Sequence, residues 1–201
     1  MRTNHILVLG AALLAAGCAA PAYVSPVEVT RFVGDPRNTL GQGTIAIDPA
    51  PGMDAFSLEF GVYRDAVARE LTTLGYRVVA QSDPRGGAQV AVLSLEQSVE
   101  APADRRGPVS VGGGASTGSF GSGVGLGLGI DLSGRPSERI ATRVSLAIRP
   151  AGGGANLWEG RASMTATANS DAADSQVAAT RIADGLFEGF PGMSGETILV
   201  R

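Results

Sequence analysis

The sequence predicts an α+β fold: a two-layer sandwich of mostly antiparallel sheet, with two helices on one face and a Gly-rich hairpin insertion. Three observations carry this. Two stretches repeat apolar residues at helical steps, around Phe56–Leu74 and Ala178–Leu186. Several others alternate with a period of two, as strands do. Between the two groups lies Val111–Gly134, in which ten of 24 residues are glycine.

The elements follow in order. Val27–Val33 sets Val27, Val29, Arg31 and Val33 against Glu28, Thr30 and Phe32, a first strand. GQGTIAIDP places Ile45 and Ile47 on one face of a second, stopped by Pro49, Pro51 and Gly52. Met53–Gly75 reads as a helix with the stripe Phe56, Phe60, Tyr63, Val67, Leu71 and Leu74. Asp54 is its expected cap, Met53 and Leu58 a hydrophobic staple, and Gly75 the left-handed residue after the last turn. Tyr76–Ala80 leaves the helix as a strand, and SDPRGG turns the chain. Ala88–Val99 begins as a nearly continuous apolar run, a central strand that runs out towards solvent at Glu96. Arg139–Arg149 and Leu157–Ala168 alternate on either side of AGGGAN and form an antiparallel hairpin. Asp171–Phe190 is the second helix; Gly185 is unfavourable there by about 1 kcal/mol against alanine, which points to close packing. Pro191 ends it, and GETILVR adds a last short strand.

The amino terminus speaks to location. Arg2 precedes an apolar run, Ile6–Ala16, that is shorter than the ~20 residues a membrane-spanning helix needs. The run ends Leu14-Ala15-Ala16-Gly17-Cys18, and Cys18 is the only cysteine. This resembles the bacterial lipobox, with the leucine one position early. Small residues admit the peptidase, which cuts between Gly17 and Cys18, and the thiol takes a diacylglyceryl group. A plain signal peptide or a packed core cysteine is the alternative; position, flanks and uniqueness favour the lipobox. The expected organisation is a signal peptide over 1–17, a lipidated tether over 18–25 and one domain over 26–201. Its residues 111–134 would be a flexible Gly-rich insertion; the alternatives are strand-like or partner-ordered pairing of Gly123–Leu132, with Val124, Leu126, Leu128 and Ile130 as a lipid- or partner-facing edge. Two or three acyl chains hold a protein on a bilayer stably, at about 0.8 kcal/mol per buried methylene. Ala19 rather than Asp after Cys18 favours the outer membrane by the sorting rule of enteric bacteria. A tether of some seven residues reaches about 25 Å at ~3.5 Å each.

Composition excludes much chemistry. Without residues 1–17 the chain has fifteen arginines against nineteen acids and no lysine, and its one histidine, His5, is gone. Nucleic acid is not an expected partner. With no His, no Lys and Cys18 acylated, neither a Ser-His-Asp nor a Cys-His nucleophile, a lysine Schiff base nor a Cys/His zinc site can be built. No cofactor, no metal and no catalytic residue is expected. In the glycine tract, the spacing of two from Gly123 to Gly129 departs from G-x-G-x-x-G, and a P-loop would need lysine. Arg143, Arg149 and Arg161 share the outer face of the late hairpin and are the candidate anion-binding face, suited to lipid phosphate; a solvated face is the plainer reading.

YRDAVARELTTLGYRV, the AVLSL strand, LWEGRA and the helix running into FEGFPG together resemble the family called domain of unknown function 4136. The resemblance spans roughly Val27–Pro191. Trp158, Gly160 and Ala162 fill its W-x-G-x-A positions, and Phe190-Pro191 its helix end. It implies a small bacterial lipoprotein of α+β fold and brings no activity. The expectation is a non-enzymatic lipoprotein on the periplasmic side of the outer membrane, with an envelope protein, lipid or glycan as partner. A hydrolase or lyase using carboxylates alone, and self-association through the Gly-rich tract, are the alternatives.

Overall fold

The computed structural model describes residues 21–80, 88–101, 109–118, 121–130 and 137–201, the third and fourth of these by backbone alone. Cys18, Gly17 and the turn expected at Ser82–Gly87 lie outside the described residues. One compact unit comprises Ala22–Glu100 and Arg139–Arg201, and the intervening segment forms another.

The larger unit is a seven-stranded mixed sheet under two helices. Its strands are β1 (Val27–Val33), β2 (Thr44–Pro49), β3 (Arg77–Val79), β4 (Gln89–Glu100), β7 (Arg139–Pro150), β8 (Trp158–Thr167) and β9 (Thr197–Val200). Their spatial order is β3-β2-β4-β7-β8-β1-β9. Helix α1 (Leu58–Thr73) joins β2 to β3, which lie parallel, as a crossover connection requires. β2 is also parallel to β4; every pairing from β4 to β9 is antiparallel. The α+β class and the order of elements match the sequence expectation.

Alternation explains which face is covered. Ala91 and Leu93 of β4 pair with Ile148 and Leu146 of β7, and Val144 pairs with Ala162 of β8, itself opposite Val29 of β1. All are buried and join one core with the helices. The α1 stripe supplies Phe60, Tyr63, Val67 and Leu71, each buried and each stabilising by about 1.5–3 kcal/mol. The helix begins later than expected. Asp54 accepts from the Phe56 N–H in a local turn, so Ser57 becomes the cap and accepts from Phe60 N–H at 3.4 Å. Phe56 and Leu58 are therefore outside the core, 94% and 91% exposed, and the expected staple does not form. The far end is as expected: Gly75 takes φ +105° and Tyr76 N–H donates back to Leu71 O at 3.0 Å.

Helix α2 (Ser175–Phe187) starts at Asp174, whose carboxylate accepts from the N–H groups of Gln176 and Val177. Asp171–Ala173 forms a separate 3-10 turn, which shortens the expected helix at its start. Gly185 lets α2 lie on β1, because a β-carbon there would sit 3.0 Å from Val27 Cγ1. Among the described residues no helix is long and apolar enough to cross a membrane.

In the second unit, β5 (Val109–Gly118) and β6 (Gly121–Ile130) pair antiparallel as a two-stranded ribbon. The tract expected as a flexible insertion is thus paired backbone where it is described; its residues 119–120 and 131–134 lie outside the described residues.

Candidate functional site

One end of the sheet is closed by the chain's first described residues. Tyr23 N–H donates to Thr167 Oγ1 at 2.9 Å, and Thr167 N–H donates to Tyr23 O at 2.9 Å. Val24 bridges Ala166, and Ser25 N–H donates to Thr165 O at 2.8 Å. Pairing therefore starts inside the stretch expected to be tether. Only residues 19–22 separate Cys18 from a fixed backbone, a reach of about 17 Å at ~3.5 Å per residue. Thr167 pairs with Arg139, and Arg139 with Glu100. The chain leaves the sheet for the glycine ribbon at Glu100 and returns at Arg139, in the same register row that Tyr23 closes.

The three candidate arginines all lie on the open face, opposite the helices, and converge only in part. Arg143 and Arg161 are diagonal neighbours, since Arg143 pairs with Ser163 and Ser145 with Arg161. Each has a carboxylate: Glu96 at 3.3 Å from Arg143, and Glu159 at 3.8 Å from Arg161, which also lies over the Phe32 ring at 5.8 Å. Arg149 sits opposite Val90, four residues further along β7 than Ser145 and so about 13 Å away at ~3.3 Å per residue. The face holds two adjacent paired arginines and one distant one, which is the pattern of a solvated charged surface.

Three surface clefts have ionisable side chains in their walls. In one of about 360 Å³, Asp65 is held by Arg64 at 2.8 Å. In one of about 420 Å³, Glu96 is held by Arg143. In one of about 300 Å³, Arg181 is engaged by Asp171 at 3.4 Å and Asp184 stands at the wall. Among the described residues no group of three or more His, Cys, Asp or Glu gathers in a way that would hold a metal ion.

Asp184 has a partner on the other helix. Glu70 of α1 is half-buried and faces it; burial first, then the Asp184 charge and hydrogen bond, push the Glu70 carboxyl above its ordinary range. Helix periodicity gave no sign of this pair, whose members are 114 positions apart. Stability tied to protonated Glu70 is present below its ordinary value of 4.5 and is lost as pH climbs through the raised one. Wild-type Tm is therefore expected to fall with pH across that window. Glu70→Gln should flatten the fall and be the more stable protein at neutral pH; melts from about pH 4 to about pH 8 check this.

Two buried polar side chains also escaped sequence reasoning. Gln89 donates to Thr39 O at 2.8 Å and accepts from Tyr76 Oη at 3.2 Å, fixing the loop before β2. Arg31, 2% exposed, donates to Gly185 O at 3.4 Å, while its Nε has no partner among the described residues. Burial lowers its pKa, against the opposing charges of Glu196 and Glu188.

No protein-family model matches the chain, and no curated protein matches it. Among solved structures it is similar to a PDZ domain protein from Parabacteroides distasonis, at 13% identity and TM-score 0.47, over 96% of this chain and 41% of that one. The chain thus spans less than half of that protein's length. It is also similar to the PelC dodecamer from Paraburkholderia phytofirmans, at 13% identity and TM-score 0.44, over 84% of this chain and 99% of that one. At these values neither likeness bears on activity or assembly.

Proposed function

We propose that this chain is an outer-membrane lipoprotein of the kind resembling domain of unknown function 4136. It would bind or support another envelope component at the periplasmic face and catalyse no reaction. The observation that carries the reading is the distance between Cys18 and the fold. A lipobox-like cysteine stands five residues before Tyr23, whose backbone is already bonded to Thr167. An acylated Cys18 would hold one end of the sheet against the bilayer. The carboxylate-enzyme reading has less support: Asp65 and Glu96 are paired with arginine in their clefts, and of the Glu70–Asp184 couple only Asp184 lines a cleft.

The test is Cys18→Ser in the full-length chain. Wild-type protein is expected in the outer-membrane fraction with an intact mass raised by a diacylglyceryl group. The variant should lose that mass and most of its membrane association. Unacylated wild-type protein, or a variant that fractionates as before, would end the reading. Crosslinking in cells with the anchor intact then identifies the component held; recovery of no protein, lipid or glycan counts against a binding role.

A further inference from the structure

The register of the glycine ribbon sorts its residues by chemistry. Direct antiparallel partners share a face. Val109, Val111, Gly113, Ala115 and Thr117 of β5 therefore share one with Ile130, Leu128, Leu126, Val124 and Ser122 of β6. Every position on the other face is glycine or serine, from Ser110 opposite Gly129 to Gly118 opposite Gly121. No charged residue occurs between Gly107 and Ile130, whereas Arg105, Arg106 and Asp131 flank the ribbon.

Two further observations select an occupant for the apolar face. Each strand has ten residues, the length a tilted strand needs to cross a bilayer's hydrocarbon. At ~3.3 Å per residue and a tilt of about 45° it covers about 23 Å, close to the apolar band of outer-membrane barrels. Both ends of the segment join the sheet in the row that Tyr23 closes, five residues from Cys18. The segment that carries the ribbon thus leaves and rejoins the larger unit at the row from which an acylated Cys18 would reach the membrane.

We propose that the β5–β6 ribbon inserts into the anchoring bilayer and closes with ribbons of further copies of this chain into a β-barrel, Val/Leu/Ile face to lipid and Gly/Ser face to the lumen. Several copies are required by physics. Among the described residues the ribbon is a sheet of two strands, so each carries an outer edge of backbone N–H and C=O groups. Hydrocarbon offers such edges no hydrogen bonds, and only closure satisfies them. The small lumen face leaves room for water. Thr117 and Ser122 would emerge at the far interface. This inference rests on the lipoprotein reading.

The full acylated chain suits a cysteine scan, because its one native thiol is consumed by the anchor. Val124→Cys, Leu126→Cys and Leu128→Cys are compared with Gly123→Cys, Gly125→Cys and Gly127→Cys. Each is labelled with an environment-sensitive dye in phosphatidylethanolamine/phosphatidylglycerol vesicles whose acyl chains are brominated. Quenching at the even positions should exceed that at the odd ones by at least about twofold, with the odd ones open to an aqueous thiol reagent. The wild-type chain should release a trapped small dye, and deletion of residues 109–130 should stop the release while membrane binding persists. An acylated, membrane-bound chain with no alternation and no release overturns the barrel and leaves the anchor standing. The same odd–even alternation in reaction of the unlabelled thiols with the aqueous reagent, in Cys18→Ser chains without vesicles, would mean that protein covers the apolar face, and also overturns it. An unacylated, unbound wild-type chain overturns both readings.

Discussion

Trp158→Ala is expected to lower the stability of the domain by about 3–5 kcal/mol, a large share of what a domain of this size possesses. Trp158 begins β8 and is fully buried. Its ring stacks on Phe187 at 5.7 Å and meets Phe190 at 5.3 Å, and those two rings meet each other at 5.8 Å. Its Nε1–H donates to Pro191 O at 2.9 Å, tying the segment after α2 to the sheet. Alanine would leave a large cavity under α2 and an unanswered carbonyl at Pro191. Trp158→Phe keeps most of the volume and loses the bond, so it should fall between the two. Urea unfolding followed by far-UV circular dichroism measures all three; an alanine variant within about 1 kcal/mol of wild type would contradict the account.

Gly160→Ala should cost about 3 kcal/mol, although it adds one methyl group. A β-carbon at Gly160 would lie 2.7 Å from Leu186 Cδ1 and 2.8 Å from Trp158 Cζ3. Neither neighbour can yield easily: the indole is held by Pro191 and stacked on Phe187, and Leu186 is fully buried on α2. The control is Gly61→Ala in α1, where nothing lies within 4 Å of the added carbon and the helix gains about 1 kcal/mol of propensity. One protein, two Gly→Ala changes and opposite signs separate crowding from backbone entropy. Equal shifts in Tm for the two variants would show that the crowding at Gly160 is relieved by movement.

These two positions show how far the sequence can be read. Period-two alternation located β7 and β8, and it sorted Arg143, Arg149 and Arg161 to the open face. It did not show that Arg161 falls diagonal to Arg143 and in a row about 13 Å from Arg149, since spacing across a sheet depends on register. The α1 stripe was legible from Phe60 onward because a buried helix face repeats at 3.6 residues. Phe56 continued the stripe on paper, yet the Asp54 turn breaks the helix phase before it. Trp158, Gly160 and Ala162 were visible as a pattern. Their reason is tertiary: alternate positions share the covered face, and the glycine makes room for the indole and Leu186. Glu70 with Asp184, Gln89 with Thr39, and Arg31 with Gly185 join positions far apart in the chain, and no local periodicity encodes them. Alternating glycines were plain from Gly123 to Gly129, but the matching Gly/Ser positions of β5 became a face only once β5 and β6 were paired.

On the proposed anchor, the short span between Cys18 and Tyr23 would also set an orientation. β7 and β8 run from the Tyr23 end to the turn at Ala151–Asn156, which stands beside Gln89 at the start of β4. Were Cys18 acylated as proposed, so brief a leash would make that glycine-bearing turn the pole pointing away from the bilayer. An epitope inserted at Gly153 would be presented to an antibody there, whereas one placed at Ser170 would be shaded by headgroups.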